Sequence, residues 1–197
     1  SLKDVMKVQT GSEKIESLLA LHETSLNTEG YSTFYFLEDA LIEAKRADDS
    51  EQLANIYETY GQSYSYLGQV RESIPYYFKA YECRSTLKDL ESKRKTSWIL
   101  GDIGNSYGDI NMLDSAVYFI NLADQIAIGV QDSSQHAILQ SNLGYYYYEF
   151  GFIEKGFEHH LASIQIRRQI DDPKGLANSL NNIGYLYGQQ GQLDIAK

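Results

Sequence analysis

Apolar residues return along this chain at helical spacing, in paired stripes separated by short polar turns. From Leu176 to Ala196, LANSLNNIGYLYGQQGQLDIA places Leu180, Ile183, Gly184 and Tyr187 on one face, because successive helical residues turn by about 100°. The same phrase stands at Leu143-Gly144 with Tyr147, at Ile103-Gly104 with Tyr107, and at Tyr60-Gly61 with Tyr64. Its four glycines are separated by 43, 40 and 40 residues. A glycine inside a helix costs roughly 0.5–1 kcal/mol relative to alanine. Its return in one phase therefore implies that a second helix approaches there too closely for a side chain. Pairs of antiparallel helices that bury their apolar faces only by stacking on neighbours satisfy this pattern.

The stripes predict helices at 12–26, 31–47, 50–67, 70–87, 90–109, 112–129, 133–149, 153–170, 173–189 and 192–197. Turns within pairs fall at Gly68, Asn111, Gly151 and Gly191, residue types that tolerate positive φ. Between pairs, Asp49, Asp132 and Asp172 stand at capping positions and lead into Ala54, Ala137 and Ala177, each alanine seven residues before the phrase's glycine. With Gln52 and Gln135 three residues on, the first two suggest reciprocal capping boxes, while Pro173 starts its helix by the proline device. Pro75 removes a backbone donor just past a first turn, which predicts a bend or a late start. LKDLESKRKTS is three residues longer than the other connections and is expected to be extra helix or a longer loop.

The resulting expectation is an all-α, right-handed superhelical solenoid of antiparallel helix pairs, continuous over 1–197. A worn first repeat (12–49) carries Ile15, Leu18, Leu19 and Leu26, then Phe34, Leu37, Ala40, Leu41 and Ala44, without the glycine–tyrosine phrase. Full repeats follow at 50–88, 89–131 and 132–171, and an incomplete one at 172–197. Its last helix spans barely one turn, so the chain is expected to continue in a longer protein.

The phrase resembles the tetratricopeptide repeat, W-x2-L-G-x2-Y followed by A, across nearly the whole chain. Tyr57, Leu100, Gln140 and Leu180 stand in the tryptophan slot, and the period of about 40 exceeds the usual 34. Gly156 and His160 replace the usual alanine and aromatic residue, which predicts a loosely packed pair. The long period resembles an extended subclass found in input regions of bacterial sensor kinases and cyclases, in peptide-pheromone receptors and in polarity adaptors. That resemblance implies a non-enzymatic module that binds a peptide or protein segment along the first helix of each repeat.

If the glycine–tyrosine side packs inward, positions six and three before the glycine and one and five after it face a groove. They comprise Asn55, Glu58, Gln62 and Tyr66; Trp98, Gly101, Asn105 and Asp109; Ile138, Ser141, Tyr145 and Glu149; Asn178, Asn181, Tyr185 and Gln189. Amides offer donors and acceptors for a peptide backbone. Trp98, Tyr145 and Tyr185 offer large apolar contacts, and Glu58, Asp109 and Glu149 favour a basic segment. A homodimer mated through the solenoid end is the second arrangement.

The net charge of −10 opposes nucleic-acid binding, which needs a basic footprint. Cys83 has no partner for an internal disulfide, and no apolar run is long enough to cross a bilayer. The cytoplasm is the expected location, or the periplasm if a signal precedes Ser1. No cofactor or metal is implied. His159 and His160 are adjacent and so diverge on a helix, which suits packing rather than metal binding. Gly101, Gly104 and Gly108 follow no strand, so they fit helix packing rather than a phosphate loop. Cys83 has no nearby histidine to activate it and is expected to be a buried, inert thiol. Of Tyr145–Tyr148, the first is the one expected to be free.

Overall fold

The computed structural model describes residues 11–189, and the predicted turn at Gly191 and helix 192–197 lie outside them. The described residues form nine α-helices: α1 (Ser12–Glu29), α2 (Phe34–Ala47), α3 (Ser50–Tyr66), α4 (Val70–Ser85), α5 (Leu90–Asp109), α6 (Leu113–Gly129), α7 (Ser133–Glu149), α8 (Ile153–Gln169) and α9 (Pro173–Gln189). A single 3-10 turn, Gly30–Thr33, joins α1 to α2. They belong to two compact units, Ser1–Lys93 and Arg94–Lys197, that divide within α5.

Each helix pair turns by the same device. In α3–α4, Gly68 takes positive φ, its N–H bonds to the Ser65 carbonyl, and the Gln69 N–H reaches back to Tyr64. Asn111 and Gly151 do the same, with Met112 N–H on Tyr107 and Phe152 N–H on Tyr147. These are Schellman ends, in which otherwise orphaned carbonyls receive two bonds. The tyrosine of the recurring phrase supplies one of those carbonyls each time.

Between pairs the left-handed residue is not glycine but Asp48, Gln131 or Asp171. The next aspartate then does two jobs. Asp49 N–H bonds to Ala44 O, Asp132 to Ala127 and Asp172 to Arg167, closing one helix. Their carboxylates accept from Gln52, Gln135 and Gly175 N–H, opening the next. The reciprocal half of the predicted capping box is therefore missing at Asp132. That N–H is already spent on Ala127, and the Gln135 Oε1 it would have met is buried without a partner. The long connection resolves as extra helix: α5 has 20 residues against 17 in α3, α7 and α9, and Asp89 caps it through the Ser92 N–H and hydroxyl. Pro75 lies inside α4, which starts at Val70, so the late start does not occur.

In the first unit, Ile15, Leu18, Phe34, Phe36, Leu37, Ala40, Ala44, Ile56 and Tyr60 close one core. His22 is buried within it, bonded to Ser63 Oγ at 2.7 Å and Thr33 Oγ1 at 2.9 Å. Burial lowers the ring's pKa.

Close approach at the phrase glycines sets the spacing within pairs. A Cβ on Gly61 would lie 2.6 Å from the Tyr77 ring, and one on Gly104 would lie 2.5 Å from Ile120 and 3.0 Å from its backbone nitrogen. On Gly144 it would meet His160 at 2.8 Å. The α7–α8 pair is thus tightly packed, contrary to the expectation from Gly156 and His160. Gly156 itself admits the Gly144 carbonyl, 3.0 Å from a would-be Cβ, and the imidazole fills the place that Tyr77 takes in α4. Serines exploit the same proximity: Ser97 Oγ donates to Ala123 O across α5–α6, and Ser163 Oγ to Ala137 O across α7–α8.

Two predictions follow from this packing. Gly104→Ala should lower stability by about 1–3 kcal/mol, since backbone atoms of α6 cannot retreat. Gly129→Ala, with nothing within 4 Å of the new methyl, should add roughly 0.4–1 kcal/mol. Urea denaturation of both variants reads the contrast.

His160 is fully buried, and its pKa is pushed down to about 4 by loss of hydration and then by His159. A pKa below the unfolded value of about 6.5 means the unfolded chain takes the proton first. Stability on the order of 3 kcal/mol is therefore present above pH 6.5 and lost as pH falls towards 4. His160→Phe should flatten this limb of the stability–pH curve.

Candidate functional site

In the second unit the first helices of successive pairs run side by side in parallel. Pairs spanning α5 and α7 recur at near-constant sequence separation: Gly101 with Leu139, Asn105 with Asn142, and Gly108 with Tyr146. Asn142 Nδ2 donates to Asn105 Oδ1 at 3.0 Å. One repeat on, Asn182 Nδ2 donates to Ser141 Oγ at 3.3 Å. The Tyr146 hydroxyl, from α7, lies 2.9 Å from both the Asn105 carbonyl and an Asp109 carboxylate oxygen. Gly108 makes this crossing possible, since a Cβ there would lie 2.2 Å from the ring. Burial raises the Tyr146 pKa well above the usual phenol range, with Asp109 adding to it.

Outside this seam lies the exposed face of α5, α7 and α9. Trp98 is 41% exposed, Tyr145 51% and Tyr185 59%; Asp109, Glu149, Asn178 and Asn181 are also exposed. Burial, then Glu149, Asp109 and Tyr185, raises the Tyr145 pKa, so these four side chains share one neighbourhood. Tyr145 packs edge-on against Tyr146 at 5.2 Å. Asp109, Asn111, Tyr145, Tyr146, Glu149 and Phe150, with Gly108, line a recess of about 180 Å³.

The predicted groove residues thus separate into two kinds. Trp98, Asp109, Tyr145, Glu149, Asn178, Asn181 and Tyr185 are presented to solvent. Asn105 and Ser141 are half-buried and hold neighbouring helices together. Gly101 is buried against Leu139 and so does not line a groove. In the first unit Gln62 and Tyr66 are exposed, the latter with its hydroxyl bonded to Asn27. Glu58 is half-buried, and Asn55 accepts from the fully buried Arg84 at 2.5 Å.

The seam residues Asn142, Asn182 and Tyr146 were not singled out by the helical-face argument. Their signal is the asparagine two positions before the phrase glycine, which recurs at 142 and 182. A second network was also missed: Asp124, buried in α6, accepts from His136 Nδ1 and Gln140 Nε2, and Gln140 Oε1 meets His159 Nδ1 at 2.8 Å. His159 stacks on Tyr147 at 5.3 Å, and its pKa is lowered by burial. Both histidines at 159–160 therefore serve packing, and among the described residues no group of three or more His, Cys, Asp or Glu is placed to hold a metal. Gly101, Gly104 and Gly108 all lie inside α5, which removes the phosphate-loop alternative. Cys83 is half-buried rather than fully buried as expected, and its partial burial raises its thiol pKa.

Residues 135–197 match the family model described as tetratricopeptide repeat. The fold is that of the tetratricopeptide repeat. BtubC from P. vanneervenii aligns over 93% of this chain and 76% of its own, with 17% identity and a TM-score of 0.80. A signal transduction ATPase with numerous domains and a tetratricopeptide repeat sensor, from Pyrococcus horikoshii, aligns at 16% identity and TM-score 0.81, over 94% of this chain and 29% of its own. A Rap protein complexed with competence and sporulation factor aligns at 14% identity and TM-score 0.78, over 99% and 54%. The chain therefore spans about half or less of the last two. No curated protein matches it in sequence. No described helix is long and apolar enough to cross a membrane.

Tyr146→Phe isolates the seam between α5 and α7. Loss of the hydroxyl should lower stability by about 1 kcal/mol and leave the exposed face in place, as thermal denaturation and the near-ultraviolet aromatic spectrum would report.

Proposed function

We propose that this chain is a non-enzymatic binding module that takes a peptide or protein segment along the exposed face of α5, α7 and α9. The observation that carries this reading is the exposure of Trp98, Tyr145 and Tyr185 on helices whose opposite sides are closely packed. Large rings held out to water on a rigid surface are the side chains that dominate binding energy when covered. Around them, Asn178 and Asn181 present amides suited to a peptide backbone.

The wider role proposed is that of a sensory or docking region in a larger bacterial signalling protein. The fold is shared with a repeat sensor attached to an ATPase and with a Rap protein in complex with a factor, which supports this reading. Self-association through the end of the solenoid is the alternative.

A random nonapeptide library screened against the wild type and a Tyr145→Ala, Tyr185→Ala variant tests the reading. Both rings are more than half exposed, so the variant should keep its thermal midpoint while losing at least tenfold in affinity, about 1.4 kcal/mol. Peptides that bind both proteins equally would move the site elsewhere. A mass by light scattering that rises with concentration would favour the scaffold alternative.

A further inference from the structure

Charge is distributed unequally between the two kinds of helix. The second helices of three pairs end on cations, Lys45 and Arg46 in α2, Arg84 in α4, and Arg167 and Arg168 in α8. This is the favourable arrangement, because a helix C-terminus carries partial negative charge. The first helices do the opposite. None of α5, α7 and α9 has a basic residue in its last turn, and α5 and α7 end on Asp109 and Glu149. In the second unit the only Lys and Arg residues on these three helices are Arg94, Lys95 and Lys174, all near their N-terminal ends. Arg94 and Asp109 are 15 residues apart, about 22 Å along a helix at 1.5 Å per residue. The C-terminal end of the exposed face is therefore acidic, with Tyr145 beside Asp109 and Glu149 and near Tyr185.

Two carboxylates at helix C-termini stand against the local electrostatic rule, and neither has a cation beside it on these helices. Residues that break a local rule are the ones expected where a partner compensates. Resting on the binding-module reading, we infer that the occupant of this face is a basic peptide segment, with a Lys or Arg side chain seated between Asp109 and Glu149 against Tyr145. A cation there gains from both carboxylates, from the C-terminal ends of α5 and α7, and from the ring face. An acidic segment would be repelled at that edge.

The test uses dye-labelled nonapeptide pools, matched in aromatic content, that carry three extra lysines, none, or three extra glutamates. Binding is read by anisotropy at low and high salt. The inference expects the lysine pool to bind best, high salt to weaken it, and Glu149→Gln to cut its affinity roughly five- to tenfold. The thermal midpoint of Glu149→Gln should hold or rise, since the substitution removes a charge misplaced on its own helix. A structural role for Glu149 would lower it. Preference for the neutral or glutamate pool, or a Glu149→Gln variant that binds like wild type, overturns the basic-segment inference and leaves the groove reading standing. Failure of every pool, or binding that survives Tyr145→Ala with Tyr185→Ala, overturns the groove reading and this inference with it.

Discussion

Gly61, Gly104 and Gly144 each remove a side chain at the point where the second helix of a pair crosses the first. Their glycine cost, roughly 0.5–1 kcal/mol apiece, is offset by the packing that the short distance permits. Tyr77, Ile120 and His160 fill these crossings with three different chemistries at one geometry. Because the backbone spacing is set first, the filling residue needs only the right volume. The buried imidazole of His160 is tolerated for this reason, at the expense of a proton it cannot hold. The paired serines, Ser97 and Ser163, come from opposite helices yet reach the facing carbonyl in the same way.

The turns add a second constraint. Each aspartate at 49, 132 and 172 lies after a left-handed residue, so its N–H finishes the preceding helix and its carboxylate begins the following one. A single residue then governs both the exit angle of one repeat and the entry angle of the next. At Asp172 the carboxylate also receives Arg167 at 2.6 Å, and Gly175 leaves room for that guanidinium. The Gly175 N–H and then Arg167 hold the Asp172 carboxyl below the usual range. This arrangement stiffens the connection without lengthening it.

Among the described residues from Ser50 onward the helix positions were legible because periodicity and turn chemistry agreed; the ends differ from expectation by a few residues at most. Tyr145 was recognisable as the free ring of its run, and Trp98 and Tyr185 as exposed, since phase alone decides those questions. Phase does not reveal which polar side chain will find a partner across a gap. Asn105 and Asn181 both fall on the predicted groove side of their helices, yet Asn105 is bonded from α7 while Asn181 is exposed. The capping boxes failed for a similar reason: the donor a glutamine needed had been taken by a helix upstream. Interactions between elements, rather than within them, are what a single sequence leaves out.

The division between seam and surface bears directly on how a ligand would be held. Tyr146 and Tyr145 are adjacent, but one hydroxyl is committed to Asn105 and Asp109 while the other ring is half in water. Asp109 belongs to both, anchoring the seam through one oxygen and facing the recess beside Glu149. A binding surface built on such a residue inherits the rigidity of the packing behind it. Little conformational freedom remains to be lost when a partner docks, and that loss is a principal cost of association. Rigid helices with exposed rings thus supply preorganisation through the same close packing that forms the fold.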